Sequence, residues 1–222
     1  MYKKEAKVTN WQNIKIKITE ILKIQINEII LDTNKFQICM DLNKLSSSIY
    51  TINNFWSEQE CLDFISKSES IGYEPATVDT ENGQIIVEHV RNNERIIYTD
   101  NILASTLWQK LNSLVPSKIG NCYAIGLNEL FRFYKYKSGQ EFKRHRDQSY
   151  IRNDMEASYF TFMIYLNENY LGGETTFADI SIQPKQGMAL IFLHDLEHSG
   201  NPVKDGTKYV LRTDIMYRLQ VE

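Results

Sequence analysis

Residues 208–219, "KYVLRTDIMYRL", form a short run in which apolar side chains alternate with polar ones, the pattern of a strand. The same reading applies to "GLNELFRFYKY" (126–136), "YFTFMIYLN" (159–167) and "MALIFL" (188–193). Turn signals separate these runs: "SGQ", "LGGE", "PKQG" and "VKDGT". Many strands at this spacing predict a mainly β chain of the α+β class, a sandwich or jelly roll with helices packed outside it. No repeat of 20–50 residues is visible.

The first 48 residues have a different character. "NIKIKITEILKIQINEIILDTNKFQICMDLNKL" is rich in Ile, Lys and Asn and holds no Gly or Pro. Ile14, Ile16 and Ile18 alternate as in a strand, yet Ile14, Ile18, Ile21, Leu22 and Ile29 also make a helical stripe, so both readings stand. "SSS" at 46–48 closes this extension, and the main domain is expected over 49–222. It opens with a strand at "IYTIN". Ser57 followed by Glu60 is then a capping-box signal for a helix whose apolar face runs through Cys61, Leu62, Phe64 and Ile65.

A length of 222 residues fits one larger domain, or one domain with an extension, against a prior of roughly 100–200 residues per domain. With 42% hydrophobic and 24% charged residues the composition is that of a globular protein. The formal net charge of −3 supplies no global basic field and weighs against nucleic acid as a partner. Cys39, Cys61 and Cys122 are too few and too scattered for a disulfide framework, and read as reduced thiols. The N-terminal "MYKKEAKVTNWQNIKIK" lacks an apolar run of about 7–15 residues, and no stretch approaches the ~20 apolar residues of a membrane span. These features predict a soluble cytoplasmic protein with no membrane partner.

The chemistry centres on "FKRHRDQSY" (142–150). On an extended segment His145 and Asp147 point to the same face, because strand side chains alternate with period two. Both can then reach one ion. A third ligand is available from "FLHDLEHSGNP" (192–202), through His194 or His198. Two histidines and one carboxylate with open positions is the donor set of non-haem Fe(II) oxygenases, whereas closed zinc sites favour Cys/His sets. Taken alone, His-x-Asp is more often a surface ion pair.

The segments "IYTINNFWSEQEC", "RNNERI", "GLNELFRFYKYKSGQEFKRHRD", "FMIYLNENYLGGETTF", "PKQGMALIFLHDLEHSGNPV" and "GTKYVLRTDIMYR" occur in that order over residues 49–219. Together they resemble the prolyl-4-hydroxylase-like branch (alpha-subunit catalytic domain type) of the 2-oxoglutarate/Fe(II)-dependent oxygenase superfamily. Residues 1–48 show no such likeness. The resemblance implies a double-stranded β-helix, the jelly-roll or cupin-like core. It implies His145, Asp147 and His198 as iron ligands, the "HSGNPV" continuation favouring His198 over His194. It also implies 2-oxoglutarate and O2 as cosubstrates and ascorbate as a reductant.

Lys208, ten residues beyond His198, stands where the family places the basic residue for the distal carboxylate of 2-oxoglutarate. A keto acid that chelates a metal leaves one carboxylate buried, and an unpaired buried charge is costly. Arg212 is the second candidate: positions 208, 210 and 212 share a face, and Arg offers the bidentate fork that Lys lacks. Tyr136 and Tyr165 occupy positions where the family often hydrogen-bonds the cosubstrate, and a structural role is equally open. Phe142 stands where relatives often carry Tyr. Gly172 and Gly173 read as a tight turn. The resemblance places Arg91, Asn92, Asn93, Asn128 and Arg132 near the substrate, while solvated or structural roles remain the ordinary reading. His89 and His194 have no ligand role in this scheme.

The function so predicted is a dioxygenase hydroxylating an unactivated C–H bond with release of succinate and CO2. A prolyl residue in a protein or peptide is the expected substrate, with a free amino acid or small metabolite as the alternative. A nucleic-acid demethylase stands well behind. A catalytically silent barrel acting as a binding module is the reading from another class. Residues 1–48 could bind a partner or dimerise, or cover one flank of the barrel, and oligomeric state is open.

Overall fold

The computed structural model describes residues 40–220 apart from residue 82. The strand-or-helix ambiguity over residues 14–29 and the thiol Cys39 lie outside the described residues.

Elements follow in the order β1 (Asp41–Lys44), β2 (Ile49–Asn53), α1 (Glu58–Ile71), β3 (Glu74–Pro75), β4 (Val78–Thr80), β5 (Gly83–Ile85), β6 (Glu94–Thr99), α2 (Asn101–Leu111), β7 (Lys118–Ile119), β8 (Cys122–Leu127) and β9 (Leu130–Lys137). The chain continues through β10 (Phe142–His145), β11 (Ile151–Asn153), β12 (Glu156–Tyr165), β13 (Leu171–Gly172), β14 (Thr175–Thr176), β15 (Ser181–Ile182), β16 (Ala189–Leu193), β17 (His198–Gly200), β18 (Val203–Asp205) and β19 (Thr207–Leu219).

Two antiparallel sheets make the barrel. The larger runs β1-β2-β16-β12-β19-β9-β6-β3, and the smaller β10-β17-β14-β15. From β9 onward the chain alternates between them: β9, β12, β16 and β19 lie in the large sheet, and β10, β14, β15 and β17 in the small one. Four strands of one sheet interleaved with four of the other is the double-stranded β-helix, a jelly roll.

Strand alternation assigns each side chain of the large sheet to one of two cores. Phe131, Phe133, Phe162, Ile164, Ile191 and Leu211 face the helix side, packing with Ile52, Cys61, Leu107 and Leu111. Their neighbours Tyr134, Tyr136, Met163, Tyr165, Leu190, Phe192 and Val210 face the other way, into the cluster with Phe177 and Ile182 of the small-sheet side. A sheet covered on both faces calls for near-continuous apolar runs, which is why "ALIFL" and "YFTFMIY" hold so little polar alternation.

The helix read from the capping box is present. Ser57 Oγ accepts from Glu60 N–H at 3.2 Å, and Glu60 Oε2 accepts from Ser57 N–H at 2.7 Å. Cys61 is buried and Phe64 and Ile65 pack on the core, but Leu62 is exposed because the helical arc turns it away; Ser68 is the buried residue one turn further on. α2 was not anticipated. Asp100 caps it by accepting from Leu103 N–H at 2.9 Å, and Ala104, Leu107 and Leu111 form its buried stripe.

Two boundaries differ from the sequence reading. "GLNELFRFYKY" is two strands, because the Asn128 side-chain carbonyl accepts from Leu130 N–H (3.2 Å) and turns the chain between β8 and β9. Both still pair with β19. The sheet also starts before residue 49: β1 pairs with β2 in register Asp41↔Asn53 to Lys44↔Tyr50, and the serine run lies in the hairpin turn between them.

Gly187 ties the segment entering α1 to the barrel. Its carbonyl accepts from Trp56 N–H (3.0 Å) and its N–H donates to Tyr165 O (2.9 Å). At φ +74 a Cβ here would lie 2.1 Å from the Trp56 carbonyl oxygen, whereas at Gly139 (φ +85) a Cβ meets nothing within 4 Å. We expect Gly187→Ala to cost roughly 2–4 kcal/mol in urea unfolding and Gly139→Ala only about 1–2 kcal/mol. Equal losses would remove the close approach as the cause.

Candidate metal centre and active site

β10 and β17 are hydrogen-bonded neighbours, and their register sets His145 opposite His198. Asp147 follows two residues after β10 ends, held by its own N–H on the His194 carbonyl at 3.2 Å. Its carboxylate lies between the two rings: Oδ1 is 3.6 Å from His145 Nε2 and Oδ2 is 3.7 Å from His198 Nε2. The three donor atoms lie within 4.8 Å of one another.

Orientation and protonation both suit a metal. His145 Nδ1 meets the Lys143 carbonyl at 2.7 Å, and His198 Nδ1 meets the Leu196 carbonyl at 2.9 Å. A carbonyl can only accept, so Nδ1 carries the proton in each ring and both Nε2 lone pairs converge on the shared space. Burial pushes His198 down to about 4, which leaves it neutral at neutral pH. Burial alone would raise Asp147, but the Arg212 guanidinium and the two imidazoles hold it well below the usual carboxylate range. Phe142 stacks on His145 at 3.5 Å between centroids, and Phe192 packs edge-on to His198 at 4.5 Å. Two imidazoles whose Nε2 atoms face one point, with an ionised carboxylate between them and apolar rings behind, fit an Fe(II) ion with positions left for other ligands.

Thr161 Oγ1 donates to Asp147 Oδ2 at 2.5 Å, and Arg212 Nη1 lies 3.1 Å from Oδ1. Each carboxylate oxygen therefore has a partner that fixes the plane of the group. Arg212 also lies 3.3 Å from Asp214, and Asp214 pairs at 3.3 Å with Arg132.

The triad stands where two chambers meet, with Tyr134, Phe142, His145, Asp147 and Arg212 lining both. Lys208, Val210 and Arg212 line the inner one, as expected of alternate residues on a strand. Lys208 is 3% exposed and donates to the Gly173 carbonyl at 2.6 Å, with the Tyr136 and Tyr165 rings at 5.4 and 5.3 Å from its Nζ. Among the described residues no carboxylate lies within ion-pair distance of it, and burial pushes its ammonium down to about 7 against the weaker pull of the Glu174 charge. Tyr136 lines the inner chamber; the Tyr165 hydroxyl is bonded to Thr175, at 2.6 Å, and the ring lies behind the wall.

The outer residues sort differently. Arg91 and Arg132 line the outer chamber. Asn93 lies behind it, its Oδ1 accepting from Arg91 Nε and Nη2. Asn92 Oδ1 accepts from Glu141 N–H, and Asn128 Nδ2 donates to Asp214, so both are committed to structure. Tyr134 is fully enclosed, yet Arg212, Arg91 and Arg132 outweigh burial and hold its phenol below the usual value. His194 is buried beside Asp214, 3.6 Å away, outside the triad. Sequence reasoning missed Thr161, Asp214, Thr175 and the Gly173 carbonyl; the inward period-two phase of β12 and β19 was the one signal for the first two.

Residues 131–213 match the 2OG-Fe(II) oxygenase superfamily. No protein of curated function matches the chain. Solved structures that share the fold include the following three. A viral collagen prolyl hydroxylase from Paramecium bursaria Chlorella virus-1, solved as a 2OG complex, has 22% identity and a TM-score of 0.54, covering 78% of this chain and 98% of its own. A Pseudomonas putida prolyl-4-hydroxylase has 17% identity and a TM-score of 0.54, covering 78% and 94%. A Trichoplax adhaerens prolyl hydroxylase, in complex with a hypoxia inducible factor oxygen degradation domain peptide fragment, has 18% identity and a TM-score of 0.59, covering 78% and 84%. The fold, the donor set and the matched segment are similar to those of 2-oxoglutarate/Fe(II)-dependent oxygenases, prolyl-4-hydroxylase-like in form. The cofactor that fits is Fe(II), with 2-oxoglutarate and O2 as cosubstrates.

Asp147→Ala removes the only anionic donor of the three. We expect the folded variant to lose stoichiometric Fe(II) retention after anaerobic gel filtration, measured by elemental analysis. Undiminished retention would contradict the assignment of these donors.

Proposed function

We propose that this oxygenase hydroxylates a prolyl residue in a protein or peptide, with His145, Asp147 and His198 holding the iron and Lys208 binding the distal carboxylate of 2-oxoglutarate. When bound, Fe(II) with 2-oxoglutarate and O2 supplies hydroxylation of an unactivated C–H bond, one oxygen atom going to the substrate and one to succinate, with loss of CO2. The observation that carries the reading is the buried ammonium of Lys208, with no carboxylate of its own, in the same chamber as the triad. A buried cation in that state calls for an anion from outside the chain. Arg212 is less suited to this task because Asp147 and Asp214 already engage it. Its work is to position Asp147. The apolar rings of Phe142 and Phe192 exclude water from the ligands, which strengthens every charge interaction inside.

The prolyl substrate is supported by the fold shared with prolyl hydroxylases, and a peptide by the neighbour that holds one. A cytoplasmic setting and ascorbate as reductant belong to the same proposal, the former supported by the free thiols of Cys61 and Cys122. The domain of this proposal begins at β1 rather than at residue 49, because β1 completes the large sheet.

The ammonium supplies a test with a definite sign. Its pKa is about 7 before 2-oxoglutarate binds, and pairing with a carboxylate must raise it, so binding takes up a proton above that pH. Affinity for 2-oxoglutarate in the Fe(II)-loaded protein is therefore level below about pH 7 and weakens as pH rises towards about 9. Lys208→Ala should weaken binding by roughly 30-fold or more and remove this slope, as measured by anaerobic titration. A wild-type affinity flat across that range would move the role away from Lys208.

A further inference from the structure

The outer chamber is lined by five arginines, Arg91, Arg95, Arg132, Arg146 and Arg212, and Asp147 is the only carboxylate residue among its lining. Most of these guanidiniums are matched. Arg132 and Arg212 share Asp214, Arg146 pairs with Asp195 at 2.9 Å, and Arg95 donates to Thr77 Oγ1 at 2.7 Å. Arg91 is the exception: it is 5% exposed and has no carboxylate partner among the described residues.

Its surroundings hold it in place without neutralising it. Nε and Nη2 both donate to the one Asn93 oxygen, at 3.1 and 3.0 Å, and Asn93 Nδ2 donates to the Glu94 carbonyl, which sets the amide's orientation. The guanidinium lies 4.2 Å from the Phe142 ring and 5.1 Å from that of Tyr134. Phe142 also stacks on His145, so one ring separates Arg91 from a metal ligand. Nη1 makes no hydrogen bond to the described residues. A planar cation so oriented, with a donor edge left over, suits a carboxylate taken from outside.

Charge balance points the same way. In the loaded site, the charges of Fe(II) and the Lys208 ammonium equal those of the two carboxylates of 2-oxoglutarate and of Asp147. Arg132 and Arg212 then share the single charge of Asp214, and Arg91 has none. The chamber remains positive in a chain whose formal net charge is −3, so this is a local feature.

We propose that the outer chamber is a carboxylate subsite, in which Arg91, oriented by Asn93, selects a substrate bearing a negative charge beside the residue to be hydroxylated. This rests on the oxygenase reading above. The carboxylate comes either from an acidic side chain next to the target residue in a peptide or from the free α-carboxylate of an amino acid. Asn93 is the positioning residue, and Arg91 the specificity-determining one.

The test uses Fe(II)-loaded protein with 2-oxoglutarate, without O2, and calorimetric binding of matched probes. One pair is acetyl-Gly-Pro-Glu-amide against acetyl-Gly-Pro-Gln-amide, and the other is N-acetylproline against N-acetylprolinamide. At least one acid is expected to bind about tenfold or more tightly than its amide, with a preference that shrinks as salt is raised. The first pair responding identifies a peptide side chain, and the second a free carboxylate. Arg91→Gln should abolish the preference and Arg91→Lys keep part of it. The visible band of iron chelated by 2-oxoglutarate is recorded in every sample: its absence counts against the oxygenase reading, while its presence with amides binding as well as acids overturns the subsite alone. So would no acid binding at millimolar concentration, a preference unchanged in Arg91→Gln, or tighter binding of a single-stranded oligonucleotide. The acid and amide comparison in the wild type decides the matter even if a variant fails to fold.

Discussion

A carboxylate buried as deeply as that of Asp147, 4% exposed at its side chain, has to be compensated, and much of the site follows from how this is done. Removing one partner of a buried ion pair costs about 3–5 kcal/mol. Thr161 on β12 and Arg212 on β19 each hold one oxygen, and the imidazoles of β10 and β17 flank it. Arg212 is itself a buried charge, and Asp214 on the same face of β19 answers it. Asp214 in turn takes Arg132 from β9 and the amide of Asn128 from the β8–β9 turn. One buried carboxylate thus sets the side chains of both sheets around it.

β19 is where these demands meet. It pairs with β12 along one edge and with β9 and β8 along the other, so its register fixes three strands at once. One face gives Leu211 and Ile215 to the core beneath the helices. The other gives Lys208, Val210 and Arg212 to the inner chamber. Slipping the register by one residue would exchange these faces, burying charge against the helices and emptying the site of its cations.

Much of this was legible in the chain. Long strands such as β12 and β19 and the α1 capping box follow from period and local chemistry, because short-range hydrogen bonds and two-sided burial leave direct marks on the sequence. His145 and Asp147 were recognisable from spacing. His198 was chosen over His194 only through the family likeness, since both follow β16 closely; the structure separates them by placing His198 in β17, opposite His145. Leu62, the Asn128 turn and the reach of β1 were not legible. The first two depend on partners distant in sequence, the core beneath α1 and the edge of β19, while β1 is a four-residue, mostly exposed hairpin arm with too little apolar alternation to mark it. For Asn93 and Asn128 the family likeness offered a place near the substrate beside the ordinary structural reading, because nothing local tells an amide that meets substrate from one that satisfies Arg91 or Asp214. Gly173 read as a turn, and it is one, but its carbonyl also holds the Lys208 ammonium.

The central claim is that the triad and Lys208 together receive one iron ion and one 2-oxoglutarate in bidentate contact. Anaerobic titration of 2-oxoglutarate into the Fe(II)-loaded protein measures this directly through visible absorption. The account predicts a weak metal-to-ligand charge-transfer band that saturates at one equivalent per iron in the wild type. Well-folded, iron-loaded protein that never develops the band would contradict it, and would leave the barrel as a binding module without this chemistry.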